Sequence, residues 1–183
     1  MAIVAPSLLA ANFLRLEEEC KMLNESEADW FHLDVMDGRF VPNISYGPMI
    51  IEFIRKTTKK PCDVHLMILE PEKFAEEFKK AGADHLTVHI EACPNLHRNI
   101  QQIKSLGMQA GVAINPHTPV TSLIDNWNLP VLIEVDGGVT LENAKDIIAA
   151  GADVLVAGNT VFKSKDPRGT ISQLRSIETA KTL

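Results

Sequence analysis

The stretch Val131–Asn159, VLIEVDGGVTLENAKDIIAAGADVLVAGN, contains one whole structural unit and the opening of the next. An apolar run from Val131 to Val135 ends at Asp136-Gly137-Gly138, and a segment of helical period follows from near Leu141. Ala150-Gly151-Ala152-Asp153 closes that segment, and a second apolar run, Val154 to Ala157, ends at Gly158-Asn159. Short runs of Val, Ile and Leu mark strands buried on both faces, while Gly just past a helix end can take the left-handed conformation. Strand, glycine turn, helix, glycine exit and strand again is the pattern of βα units on a parallel sheet.

Working outward, the same pattern recurs. Further strands are predicted at Ile3 to Leu9, Trp30 to Met36, Cys62 to Ile68, His85 to Ile90 and Gln109 to Ile114, which makes seven. Helices are predicted to begin near Leu14, Gly47, Pro71, Pro94, Pro119 and Leu141, with a last one near Arg168. Pro71 and Gly82 bracket one helix, because Pro in a first turn forfeits no needed donor, and Leu106-Gly107 repeats the helix exit. No linker interrupts the chain, so residues 1–183 read as a single domain, with Glu178 to Leu183 expected to fray.

Alternating βα units suit either an open doubly wound sheet or a closed β/α-barrel. A dinucleotide-binding sheet would carry a GxGxxG turn after its first strand, where this chain has Ser7-Leu8-Leu9-Ala10-Ala11-Asn12. The glycine turns lie instead after the last two strands, where β/α-barrels commonly hold a phosphate, so a TIM-type β/α-barrel is expected.

Composition narrows the function. With 45% hydrophobic and 23% charged residues in 183, the chain can bury one sizeable core. A net charge of -6 argues against a nonspecific nucleic-acid binder. Cys20, Cys62 and Cys93 stand far apart and are odd in number, as expected of reduced thiols. The start MAIVAPSLLA has no basic region, and no apolar run reaches the roughly 18 residues of a membrane span. A cytoplasmic protein without membrane or nucleic-acid partners is expected.

Side chains two apart on a strand share a face. FHLDVMD therefore sets His32, Asp34 and Met36 opposite Phe31, Leu33 and Val35. Asp63, His65 and Met67 alternate in the same way with Val64, Leu66 and Ile68, and Glu134, Asp136 and Gly138 form the corresponding face of the sixth strand. Polar groups inside a barrel are costly unless paired or ligating. Two His and two carboxylates could surround a divalent cation, or each His could pair with a carboxylate in a buried network; the residues alone leave both open. His85, His97 and His117 are expected at the surface, while His89 and Glu91 either line the pocket or pair with each other.

Several segments together resemble the ribulose-phosphate 3-epimerase family. They are Ala5-Pro6-Ser7-Leu8-Leu9, His32 to Gly38 with Phe40-Val41-Pro42-Asn43, Asp63 to Met67, Glu134 to Val139, Ala157-Gly158-Asn159 and Lys163 to Pro167. The resemblance implies an isomerase that epimerises D-ribulose 5-phosphate to D-xylulose 5-phosphate through an enediolate. It implies His32, Asp34, His65 and Asp136 as ligands of one divalent ion, zinc first and iron, manganese or cobalt after it. Asp34 and Asp136 match the two acid/base groups. Ser7, His65, Met36, Met67 and Asp136 match substrate contacts, and Gly137, Gly138, Gly158 and Asn159 the phosphate cradle, although Ser is usual in the family at the position of Asn159. The implied partners are a small sugar phosphate and further copies of the chain.

The chain also departs from the family. A strand, its substrate-covering loop and its helix should precede Glu134-Val135-Asp136, yet Asp125-Asn126-Trp127 runs through Asn128-Leu129-Pro130 straight into Val131. One βα unit, the expected sixth, is missing between about 127 and 131. Either the protein lacks it, or the sequence omits a stretch the protein has; the second is favoured because substrate lids are mobile. Two other readings are a 3-epimerase of a ketohexose 6-phosphate such as allulose 6-phosphate and, if the unit is truly absent, a catalytically impaired barrel scaffold.

Overall fold

The computed structural model describes residues 1–123 and 131–177. Its elements run β1 (Ile3–Ala5), α1 (Leu16–Asn24), β2 (Phe31–Met36), α2 (Pro48–Thr57), β3 (Cys62–Met67), α3 (Ala75–Ala81), β4 (His85–His89), α4 (Leu96–Ser105), β5 (Gln109–Ala113), β6 (Glu134–Asp136), α5 (Ala144–Ala149), β7 (Val154–Val156), α6 (Asn159–Phe162) and α7 (Pro167–Arg175). The strands form two sheets, in the orders β1-β7-β6 and β2-β3-β4-β5. The β1/β7, β6/β7, β3/β4 and β4/β5 pairings are all parallel, as expected of βα units.

The chain divides into two compact units, one made of Met1–His32, Lys56–Pro61 and Val131–Leu183, the other of Leu33–Arg55 and Cys62–Pro130. In the first, Ala5, Val154 and Val156 are buried and Ile3 and Trp30 pack against them. Lys60 terminates α1 by donating to the carbonyls of Leu23, Ser26 and Ala28 at 2.9, 2.9 and 2.7 Å. The Leu23 carbonyl also accepts from the Ser26 amide and hydroxyl at 3.2 and 2.8 Å, so the ammonium adds to a cap built just past the helix end.

In the second unit Leu33, Val64, Leu66 and Leu86 are fully buried, as are Phe78 of α3 and Ile103 of α4 to within 2%. Burying each such side chain contributes about 1.5–3 kcal/mol. Gly82 ends α3 at φ +106°, and a Cβ there would lie 2.3 Å from Cγ of Arg55, whose guanidinium pairs with Asp84 at 2.8 Å. The predicted glycine exit thus serves close packing as well as backbone direction.

Several boundaries differ from expectation. β1 stops at Ala5, with Leu8–Ala10 in a 3-10 turn and Ser7 joined to His32 by an isolated bridge. The sixth strand covers only Glu134–Asp136: its one partner, β7, reaches no further back, and Val131, Leu132 and Ile133 are exposed. Near Pro119 only the 3-10 turn Val120–Leu123 is described. The short α6 was not expected. The junction placed at about 127–131 lies, up to Pro130, outside the described residues, as does the tail Glu178 to Leu183. No helix among the described residues is long and apolar enough to cross a membrane.

Candidate functional site

In the second unit the polar faces of β2 and β3 hold buried ionisable groups. Asp34 is 4% and His65 7% exposed, and His65 Nδ1 lies 3.3 Å from Asp34 Oδ1. The other ring nitrogen of His65, Nε2, is 2.9 Å from Nε2 of His89, and the two rings stack at 5.0 Å and 21°. Nδ1 of His89 faces Glu91 Oε2 at 3.3 Å, while Glu91 Oε1 accepts from the amide of Asn115 at 2.8 Å and from the Thr118 hydroxyl. Burial pushes the Glu91 carboxyl up, but hydrogen bonds from Thr118, Asn115, its own backbone and His89 outweigh it and bring the pKa to about 2.

The ends of the same strands are held by local side chains. Ser45 donates to the Asp34 carbonyl at 2.7 Å and accepts from the Met36 amide at 3.0 Å. Asn43 donates to the Met36 thioether at 3.5 Å, and Met36 and Met67 are both half-buried. The Asp37 carboxylate accepts from the amides of Arg39, Phe40 and Leu69 at 2.8, 2.9 and 2.9 Å, joining the loops after β2 and β3. Burial raises its pKa, yet these bonds win and hold it below the usual carboxylate range.

In the first unit His32 is fully buried, and its amide donates to the Pro6 carbonyl at 3.1 Å. Its Nδ1 lies 3.6 Å from Glu134 Oε1 and its Nε2 4.0 Å from Asp136 Oδ2. After β6, Gly137 and Gly138 sit at φ +95° and +71°, a turn in which any L side chain would be strained. Asn143 fixes that turn by donating to the Gly138 carbonyl at 2.8 Å and accepting from the Thr140 amide at 2.7 Å. Thr160 of α6 donates to the Val139 carbonyl at 2.5 Å. Gly158 precedes α6, and a Cβ added there would lie 3.6 Å from Cβ of the buried Ser7. Asn159 is exposed.

Within the first unit, then, His32 is brought to Asp136, and Ser7 to Gly158 and the glycine turn to α6. Within the second, Asp34 is brought to His65. His32 and Asp34 stand two residues apart on β2. Each of these His and Asp side chains offers a ligand atom, and buried Asp34 and His65 together could hold a metal ion. His97 and His117 are exposed, as expected. His85 corrects its expectation: it is half-buried, with Nδ1 3.9 Å from Oδ1 of buried Asp63, because a strand fixes the ring between its neighbours. Asn115 and Thr118 carry no signal in the sequence, since their partner is 24 or 27 residues away.

Comparison with known proteins gives this geometry its setting. A model of the ribulose-phosphate 3-epimerase family matches residues 3–126 and 120–162. The ribulose-phosphate 3-epimerase of Bacillus subtilis is 44% identical over 214 residues, covering 96% of this chain and 99% of that protein. That of Synechocystis is 42% identical, covering 95% and 93%. Among solved structures, KGPDC from Streptococcus mutans aligns with a TM-score of 0.73 at 13% identity, over 98% of this chain and 100% of that one. At such low identity it shares the fold alone, a parallel α/β fold of the TIM-barrel class. The extent of the family match and the identity to its curated members show that the chain belongs to the ribulose-phosphate 3-epimerase family.

Proposed function

We propose that the protein is a metal-dependent ribulose-phosphate 3-epimerase of the cytoplasm, interconverting D-ribulose 5-phosphate and D-xylulose 5-phosphate. The observation that carries this reading is the buried Asp34–His65 pair at 3.3 Å, in a chain of an epimerase family. A carboxylate and an imidazole with so little access to water suit a cation better than a bare core. Membership of the family adds His32 and Asp136 to the set, so that His32, Asp34, His65 and Asp136 would hold one divalent ion, zinc by preference for imidazole and carboxylate. When bound, the ion supplies Lewis acidity at the ketone and hydroxyl oxygens of the substrate.

The remaining work belongs to the chain's own residues. One of Asp34 and Asp136 removes the C3 proton, and the other returns a proton to the opposite face of the enediolate; inversion leaves each in the state needed for the reverse reaction. Met36 and Met67 lie against the planar intermediate and exclude water. Ser7 and His65 contact the sugar, and the turns at Gly137-Gly138 and Gly158-Asn159 hold the phosphate with backbone N–H groups.

Two experiments test these roles. Dialysis against a strong chelator is expected to abolish activity and a divalent ion to restore it; full activity in verified metal-free protein refutes the metal. Asp136→Asn is expected to stop net epimerisation while one epimer still exchanges its C3 proton with deuterium in solvent, and Asp34→Asn to show the complementary preference. Near wild-type epimerisation in both variants refutes the two-base assignment.

The shortened barrel is part of the same proposal. The family match breaks into two pieces that meet at residues 120–126, and an alignment of 214 positions exceeds the 183 residues here by at least 31. Both support the absence of one βα unit between β5 and β6. If the protein itself lacks that unit, the second reading, a catalytically impaired scaffold, gains ground, and the assays above separate it from the first.

A further inference from the structure

We propose that Glu91, acting through His89, fixes which nitrogen of His65 carries its proton and so presents His65 Nδ1 as a bare ligand atom toward the metal. This rests on the metal reading above and extends it to two positioning residues outside the ligand set.

The number of protons the rings can hold decides the tautomer. Two ring nitrogens 2.9 Å apart, His65 Nε2 and His89 Nε2, can share one proton and no more. Glu91 decides which ring owns it. Its Oε1 already accepts from the Asn115 amide and the Thr118 hydroxyl, so Oε2 is the oxygen turned to His89 Nδ1 at 3.3 Å. An ionised carboxylate is an acceptor only, which requires the proton of neutral His89 to sit on Nδ1. His89 Nε2 is then an acceptor, and the shared proton belongs to His65 Nε2. Neutral His65 has no second proton, so its Nδ1 meets Asp34 Oδ1 at 3.3 Å with a lone pair. Two acceptors facing each other repel, and a cation between them removes the repulsion.

Packing keeps the relay in place. His65 and His89 are 7% and 6% exposed, and Phe40 lies against the His89 ring at 4.7 Å. Glu91 stays ionised throughout the physiological range because its hydrogen bonds hold its pKa near 2. The outer partners of a ligating histidine fix its tautomer and orientation, and losing one typically costs about 10- to 100-fold in metal affinity.

Glu91→Gln is the informative change, because the Asn115 amide keeps the carbonyl oxygen of the new side chain on its side. The NH2 group then takes the place of Oε2 and donates to His89 Nδ1, which reverses the relay and puts a proton on His65 Nδ1. Long-range proton–nitrogen NMR correlations on the metal-free full chain, at alkaline pH where both rings are neutral, are expected to show Nε2–H on His65 in the wild type and Nδ1–H in Glu91→Gln. Zinc affinity, read by competition with a chromogenic chelator, is expected to fall about 10- to 100-fold in Glu91→Gln. It is expected to fall equally in His89→Phe, which keeps a ring in the stack without a nitrogen, so the test survives if one variant does not fold. A wild-type His65 protonated on Nδ1, or unchanged zinc affinity in both relay variants, overturns the relay alone; a wild type that binds no zinc overturns the metal reading and the relay with it.

Discussion

β2 and β6 carry the same device, a carboxylate two residues after a histidine or glutamate on one face of a strand, yet their surroundings differ. β2 runs over six residues and buries Asp34 to 4% exposure. β6 pairs over three, and the Asp136 side chain is 37% exposed. Both end the strand orders given above, but His32 of β2 is also bridged to Ser7 on its other side, whereas among the described residues β6 pairs only with β7. Cover differs too: β2 has Phe31, Leu33 and Val35 buried on its other face, whereas Val131, Leu132 and Ile133 before β6 are 70%, 57% and 52% exposed. β5, the other strand beside the break in the family match, is likewise only half-buried over Ala110–Ala113. An apolar run becomes a full strand only where a neighbour supplies partners and cover, and in the chain these two strands stand on either side of the βα unit proposed above to be absent.

The largest expected effect is therefore on catalysis. If the chain as it stands weighs 20.2 kDa, inserting a strand, loop and helix of about 30 residues between β5 and β6 is expected to raise kcat/KM at least about 100-fold, since a lost positioning contact alone can cost that much. Hydrogen exchange at Val131–Ile133 is expected to slow in the same protein. A natural product heavier than 20.2 kDa by about 3 to 4 kDa, one βα unit, would show the unit to be present already. A 20.2 kDa chain as active as the insertion variant would break the link between cover and catalysis.

The contrast also marks how far the residues alone could be read. Seven strands, their parallel order and the buried polar faces of β2 and β3 were legible, because alternation along FHLDVM and CDVHLM is a local property. The extent of β6 was not, because VLIEV is as apolar as any strand here, and its described length follows the three residues of β7 that pair with it. The pairings His32–Asp136 and Asp34–His65 were legible as members of one polar set on alternating strand faces, read either as metal ligands or as His–carboxylate pairs; which His meets which carboxylate, and at what distance, comes from the fold. His89 and Glu91 were recognised as a pair, but the contact of His89 with His65 is set by how β3 and β4 lie side by side, with His65 level with Thr87. No local pattern reports it.

A smaller effect distinguishes the two histidines. His65 is reached from Glu91 through a made ring-to-ring contact at 2.9 Å, whereas Glu134 Oε1 lies 3.6 Å from His32 Nδ1, beyond hydrogen-bond reach, on a side chain 26% exposed. Glu134→Gln is thus expected to lower zinc affinity by less than about tenfold, below the loss in Glu91→Gln. Chelator competition on the two variants side by side checks the order, and a larger loss in Glu134→Gln would reverse it.

The smallest expected effect is on acid stability, and it falls on the buried half alone. Glu91 has a folded pKa of about 2 against an ordinary 4.5. A carboxyl depressed on folding contributes stability that is fully present above its unfolded pKa and lost as the pH falls through the folded one, so the loss runs from about pH 5 down to 2. Protonation frees Asn115 and Thr118 from the carboxylate and removes the acceptor from His89 Nδ1. The contribution is modest, because the Glu91 side chain is 21% exposed and water screens part of it. In metal-free protein the urea midpoint of the wild type is expected to fall more steeply between pH 5 and 2.5 than that of Glu91→Gln, which has no proton to gain. Parallel profiles would mean that the folded state draws no stability from the ionised carboxylate, and the buried half would lose the anchor that separates it from β6.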